Sequence, residues 1–112
     1  MKTIKKHYFK ELEGDKFDET IMFMEADKNY TVIHFSNGEI KKSGYTLMRF
    51  ENLLKANPIY KRIHRTFLVN MNFVNNIDMQ YQLISINNGP VLNISRRKVK
   101  RLQDYVNSVA KI

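Results

Sequence analysis

The sequence predicts a mostly β domain with a minor helical part: a compact antiparallel strand core, one short helix and a C-terminal amphipathic helix. Three features point there. Short runs rich in β-branched and aromatic residues recur along the chain, at Ile21–Met24, Tyr30–Phe35, Phe67–Val69, Gln82–Ile86 and Val91–Ile94. Turn signals such as Asn37-Gly38 and Asn87-Asn88-Gly89-Pro90 punctuate them. Apolar residues at helical spacing occur in two places, after Thr46 and after Ser95.

At 112 residues and 13.4 kDa the chain fits one domain. Its 43% hydrophobic content, with seven Phe and six Tyr, suffices for a real core and excludes a disordered polyelectrolyte. Cysteine is absent, which removes disulfides and thiolate metal sites. No apolar run approaches the roughly 18 residues of a membrane span. Met1 to Lys10 is basic but lacks the apolar centre of a signal peptide. A cytoplasmic location is the expectation.

Residues 1–20 have mixed charge and a Glu13-Gly14-Asp15 turn signal, compatible with an N-terminal extension or loose hairpin ahead of a domain spanning 21–112. Ile21-Met22-Phe23-Met24 is continuously apolar and too short for a helix, so it reads as a buried strand. Asp27-Lys28-Asn29 breaks the pattern before the Tyr30–Phe35 strand. The Asn-Gly pair predicts a type I′ turn with both central residues at positive φ, returning through Glu39 to Ser43. Thr46 is a plausible N-cap for a helix with Leu47, Phe50, Leu53 and Leu54 on one stripe, stopped by Asn57-Pro58. A turn at Asn70-Met71-Asn72 precedes a strand over Phe73–Ile77. Ser95 is a plausible N-cap for the last helix. At 100° per residue, Val99, Leu102, Tyr105, Val106 and Val109 fall within about 120°, opposite Arg96, Arg97, Lys100 and Arg101.

Enzyme chemistry finds no support. His7, His34 and His64 are far apart with no i, i+4 pairing, and no glycine loop cradles phosphate. Neither a metal nor a cofactor is expected. The formal charge of +8 is the informative quantity, because it is unevenly placed. Met1 to Asp27 carries five Lys against seven acids, a balance of −2; the remainder carries fourteen Lys and Arg against four acids, a balance of +10. A clustered basic surplus is the footprint of a polyanion binder. Lys61-Arg62-Ile63-His64-Arg65 is its densest part and feeds directly into the apolar Phe67–Val69 run. A cationic loop on a rigid strand suits recognition; the alternative is a solvated basic turn. At the last helix, Arg96, Arg97 and Lys98 oppose the helix dipole, and a phosphate between them would relieve the repulsion.

The segment "RIHRTFLVNMNFV" resembles the signature of the LytTR family, DNA-binding domains of bacterial response regulators. "MEADKNYTVIHFSNGEI", "SGYTLMRFENLL" and "LNISRRKVKRL" match the same family in order, together spanning roughly Ile21 to Val106. The resemblance implies sequence-specific binding of double-stranded DNA by a transcription regulator of a two-component system, without an inserted recognition helix. Three basic loops, Asp27–Tyr30, Lys61–Arg65 and Asn93–Lys100, would face one side of the duplex. It implies base contacts at Tyr30, Arg65 and Arg97, Tyr30 and Arg65 departing from the residue types of some members. Arg65 and Arg97 can each take guanine O6 and N7 together. Lys28, Arg62, His64 and Lys100 suit phosphates, with Asn29 and Arg96 completing the expected contact set. For Tyr30, a strand-start aromatic half-buried in the core is the competing reading. The family also implies paired DNA repeats, hence a possible homodimer on DNA. Most members carry a receiver or sensor domain ahead of this part, so a stand-alone module and a piece of a longer regulator are both compatible with the sequence. A basic RNA- or polyanion-binding module without duplex specificity is the alternative function.

Overall fold

The computed structural model describes residues 2–3 and 20–110, with side chains over 20–108. A six-stranded sheet holds β1 (Lys2–Thr3), β2 (Ile21–Asp27), β3 (Tyr30–Phe35), β4 (Ile40–Ser43), β5 (Tyr60–His64) and β6 (Phe67–Asn70) in the order β1-β4-β3-β2-β6-β5. A three-stranded sheet follows, with β7 (Val74–Asp78), β8 (Leu83–Ile86) and β9 (Val91–Asn93) in sequence order. Every pairing is antiparallel except that of β1 with β4. Helix α1 (Leu47–Leu53) joins β4 to β5, and α2 (Arg96–Ala110) follows β9. The mostly antiparallel fold with two helices is the one expected. The expected first hairpin falls on residues 4–19, outside the described residues.

Strand β2 is central, and its apolar run serves two cores. Ile21 and Met24 pack with Ile33, Phe35, Leu68 and the α1 residues Leu47 and Phe50. Met22 and Phe23 pack with Ile63, Val69, the second sheet and Leu102 of α2. A strand covered on both faces reads as continuous apolar sequence rather than alternation. Asn70, fully buried, fixes the far end of the sheet. Its Nδ2 donates to the Ile21 carbonyl (2.9 Å) and its Oδ1 accepts from the Asn72 amide (2.9 Å), opening a single 3₁₀ turn over Met71–Phe73.

Several local expectations are revised. The Asn37-Gly38 turn is not type I′: only Gly38 has positive φ (+87°). Its amide donates to Phe35 O (3.0 Å), and the Phe35 amide donates to Glu39 O (2.9 Å), which makes a longer connection. Helix α1 has the expected Thr46 cap, its Oγ1 accepting from the Arg49 amide (3.3 Å), but ends at Leu53, before Asn57-Pro58. Ser95 does precede α2, yet its backbone makes the contacts there, its carbonyl accepting from the Lys98 amide (3.0 Å). Helix α2 docks along the face that carries Val99, Leu102 and the half-buried Tyr105, whose ring meets Lys61 Nζ (4.7 Å to the centroid). Leu102 is buried and Val99 half-buried, whereas Val106 is 38% exposed.

Candidate nucleic-acid interface

The register places the first two basic segments at one end of the six-stranded sheet, and a hydrogen bond from the Ser95 amide to Ile63 O brings the third beside them. There β2 ends and β3 begins, linked by Lys28-Asn29 with Asp27 paired to Tyr30. There too β5 ends and β6 begins, linked by Arg65-Thr66 with His64 paired to Phe67. Lys61–His64 is therefore strand rather than loop, and only Arg65-Thr66 forms the turn. Charged residues in it are tolerated because β5 is an edge strand, where charge also blunts unwanted pairing.

The β5–β6 turn is joined to its neighbours by four consecutive carbonyls. Ile63 O accepts from the Ser95 amide (2.8 Å), at the start of α2. His64 O accepts from Arg62 Nε (2.8 Å), and Arg65 O from Arg62 Nη2 (2.6 Å). Thr66 O accepts from the Ala26 amide (2.8 Å), at the end of β2. A register shift between Arg62 and His64 leaves Ile63 out of the β5–β6 ladder, and Arg65-Thr66 lies in the turn beyond it. The turn thus ties the first segment to the third. An open cleft of about 360 Å³ lies between the second and third segments, lined by Glu51, Arg62, His64, Arg65, Ser95, Arg97 and Lys98.

Lys28, Asn29, Arg65, Arg96, Arg97 and Lys100 are all exposed. Tyr30 is 48% exposed, outside both cores, and its ring lies beneath Lys42 Nζ (4.5 Å to the centroid). Lys28 has φ +57°, a left-handed conformation uncommon for a non-glycine residue. His64 is half-buried. The Thr66 amide donates to its Nδ1 (3.1 Å), so in the neutral ring the proton sits on Nε2. Arg62 departs from its expected phosphate-holding role. Its side chain is only 16% exposed and points inward, with Nη1 2.6 Å from Glu51 Oε1 in addition to the two carbonyl bonds.

Sequence reasoning missed Lys42 and Glu51. Lys42 reaches Tyr30 because β4 pairs with β3, and its Nζ also lies 3.8 Å from Asp27 Oδ2. Glu51 meets Arg62 because α1 packs against the core face of the six-stranded sheet. Neither contact has a local signal in sequence. Lys98 was legible as part of the basic run, and its lining of the cleft follows from α2 starting at Arg96.

A β-rich domain with cationic turns gathered at one sheet end is the class this geometry defines. The sequence matches the LytTr DNA-binding domain family over residues 16–107, and the chain belongs to that family. In structure it is similar to the LytTr DNA-binding domain of a methyl-accepting/DNA response regulator from Bacillus cereus. That likeness has TM-score 0.69 and 27% identity, and covers 78% of this chain and 81% of the other. No curated protein matches the sequence. DNA binding as part of a transcription regulator is the property these relationships support.

Proposed function

We propose that the chain reads double-stranded DNA by sequence, through its three basic segments on one side of the duplex. The observation that carries this reading is their convergence at one sheet end, held together by the Ile63–Thr66 carbonyls. Arg65 and Arg97 are the base-reading candidates, since a guanidinium fork can match two acceptors on guanine. Tyr30, with its exposed ring, is the third. Lys28, Asn29, His64 through Nε2, Arg96 and Lys100 hold phosphates and set register. Two copies on paired repeats, as a dimer formed on DNA, complete the proposal. The site of action is the cytoplasm, where such a regulator meets DNA; no described helix is long and apolar enough to cross a membrane.

Selection of bound sites from random duplexes tests it. A shared motif should emerge, and excess non-motif duplex should compete poorly against it. If single-stranded RNA competes as well as the selected duplex, the polyanion-binding alternative replaces this reading.

A further inference from the structure

An acidic side chain at the edge of a DNA-facing surface ordinarily weakens binding, because it repels phosphate. Glu51 is such a residue: it lines the cleft between the second and third segments. We infer that Glu51 and Arg62 form a positioning clamp that sets the β5–β6 turn for base reading, so that an acid is required for specificity. This rests on the DNA-reading role proposed above for Arg65.

The clamp has three jaws. Arg62 Nη1 meets Glu51 Oε1 at 2.6 Å, while Nε and Nη2 hold the carbonyls of His64 and Arg65 at 2.8 and 2.6 Å. Both held carbonyls belong to the segment that presents Arg65. A planar guanidinium can serve three acceptors in one fixed geometry, whereas an ammonium is a point charge on a flexible stem. Glu51 orients that plane from outside the hairpin, and α1 is rigidly seated because the adjacent Phe50 is fully buried. The other two carbonyls of the turn, Ile63 O and Thr66 O, are taken by Ser95 and Ala26, which leaves the central pair to Arg62. Without Glu51, the guanidinium is free to turn toward phosphate and release them. The acid thereby sets the direction of the arginine. Neither residue needs to touch DNA.

Electrostatics and positioning predict opposite signs, which makes the test sharp. Glu51→Gln and Arg62→Lys, made in the full chain, are titrated against the selected duplex and a one-base variant of it at two salt concentrations. The clamp predicts that Glu51→Gln loses about tenfold in discrimination between the two duplexes, while its affinity for unrelated duplex holds or rises. Arg62→Lys, which keeps the charge, should lose discrimination as well. Thermal melting of both variants near the parent value separates this from unfolding. If Glu51→Gln tightens binding to all duplexes equally, Glu51 is only a repelling charge and the clamp is wrong. Retained discrimination in Arg62→Lys overturns it too, since charge pairing alone would then suffice. A parent chain with no preference between the duplexes removes the DNA-reading role itself, and the clamp with it.

Discussion

At the residue scale, Lys28, proposed above to hold phosphate, sits where the backbone works against local stability. With φ +57° it occupies backbone space that favours glycine. Lys28→Gly should stabilise the fold by about 1 kcal/mol, by relieving a left-handed non-glycine residue. The same change should weaken duplex binding through loss of a phosphate partner. Chemical denaturation and a binding titration on one sample check both signs together. Arg97 and Lys100 offer a second contrast, since both are exposed on α2. Arg97→Ala should shift stability by less than about 0.5 kcal/mol, yet cost roughly 1–3 kcal/mol at the selected site and relax one base position. Lys100→Ala should weaken all duplexes alike and lower the salt slope by about one. Equal losses for Arg97→Ala on selected and variant duplexes would move it to the phosphate-holding group.

At the element scale, strands and helices were legible where burial made the pattern. Ile21–Met24 is apolar because β2 is covered on both faces, and Tyr30–Phe35 has side chains that suit a half-buried pleated surface. β5 was hidden because its charges dominate a local reading, although Tyr60 and Ile63 are its buried residues. The bulge at Arg62/His64, and with it the inward turn of Arg62, depends on partners from α1 and the hairpin itself. Glu51 lies eleven positions away in sequence, so no spacing rule finds it. Asn70 was legible only as a turn former, yet it joins β6, β2 and the 3₁₀ turn through one amide. Asn70→Ala should therefore cost about 2–3 kcal/mol, because it strands a buried carbonyl and an amide. Thermal denaturation checks this, and a change below about 0.5 kcal/mol would show that water replaces both bonds.

At the scale of the whole molecule, the +10 balance after Asp27 governs affinity rather than fold. Each phosphate neutralised contributes about 0.9 to the slope of log affinity against log salt. Binding to selected and unrelated duplexes should both weaken steeply with salt, the difference between them remaining as the contribution of base contacts. If two copies meet on paired repeats, inserting about 5 base pairs between half-sites rotates them to opposite faces, and about 10 restores the facing arrangement. Binding cooperativity should vanish and return accordingly. A flat response to spacing would mean that the copies bind independently.

The four carbonyls of the β5–β6 turn also bear on how the molecule opens. The Ser95 amide lies in the third basic segment and the Ala26 amide adjoins the first, but their acceptors, Ile63 O and Thr66 O, sit on one short turn. A local fluctuation that lifts this turn exposes both amides in a single event. Native-state hydrogen exchange should then assign Ala26 and Ser95 the same opening free energy, as members of one cooperative unit. Three separately mobile segments would each lose backbone freedom on meeting a duplex, at about 1–2 kcal/mol per residue ordered. On the proposed reading that ordering is met during folding, and the duplex encounters one surface already assembled.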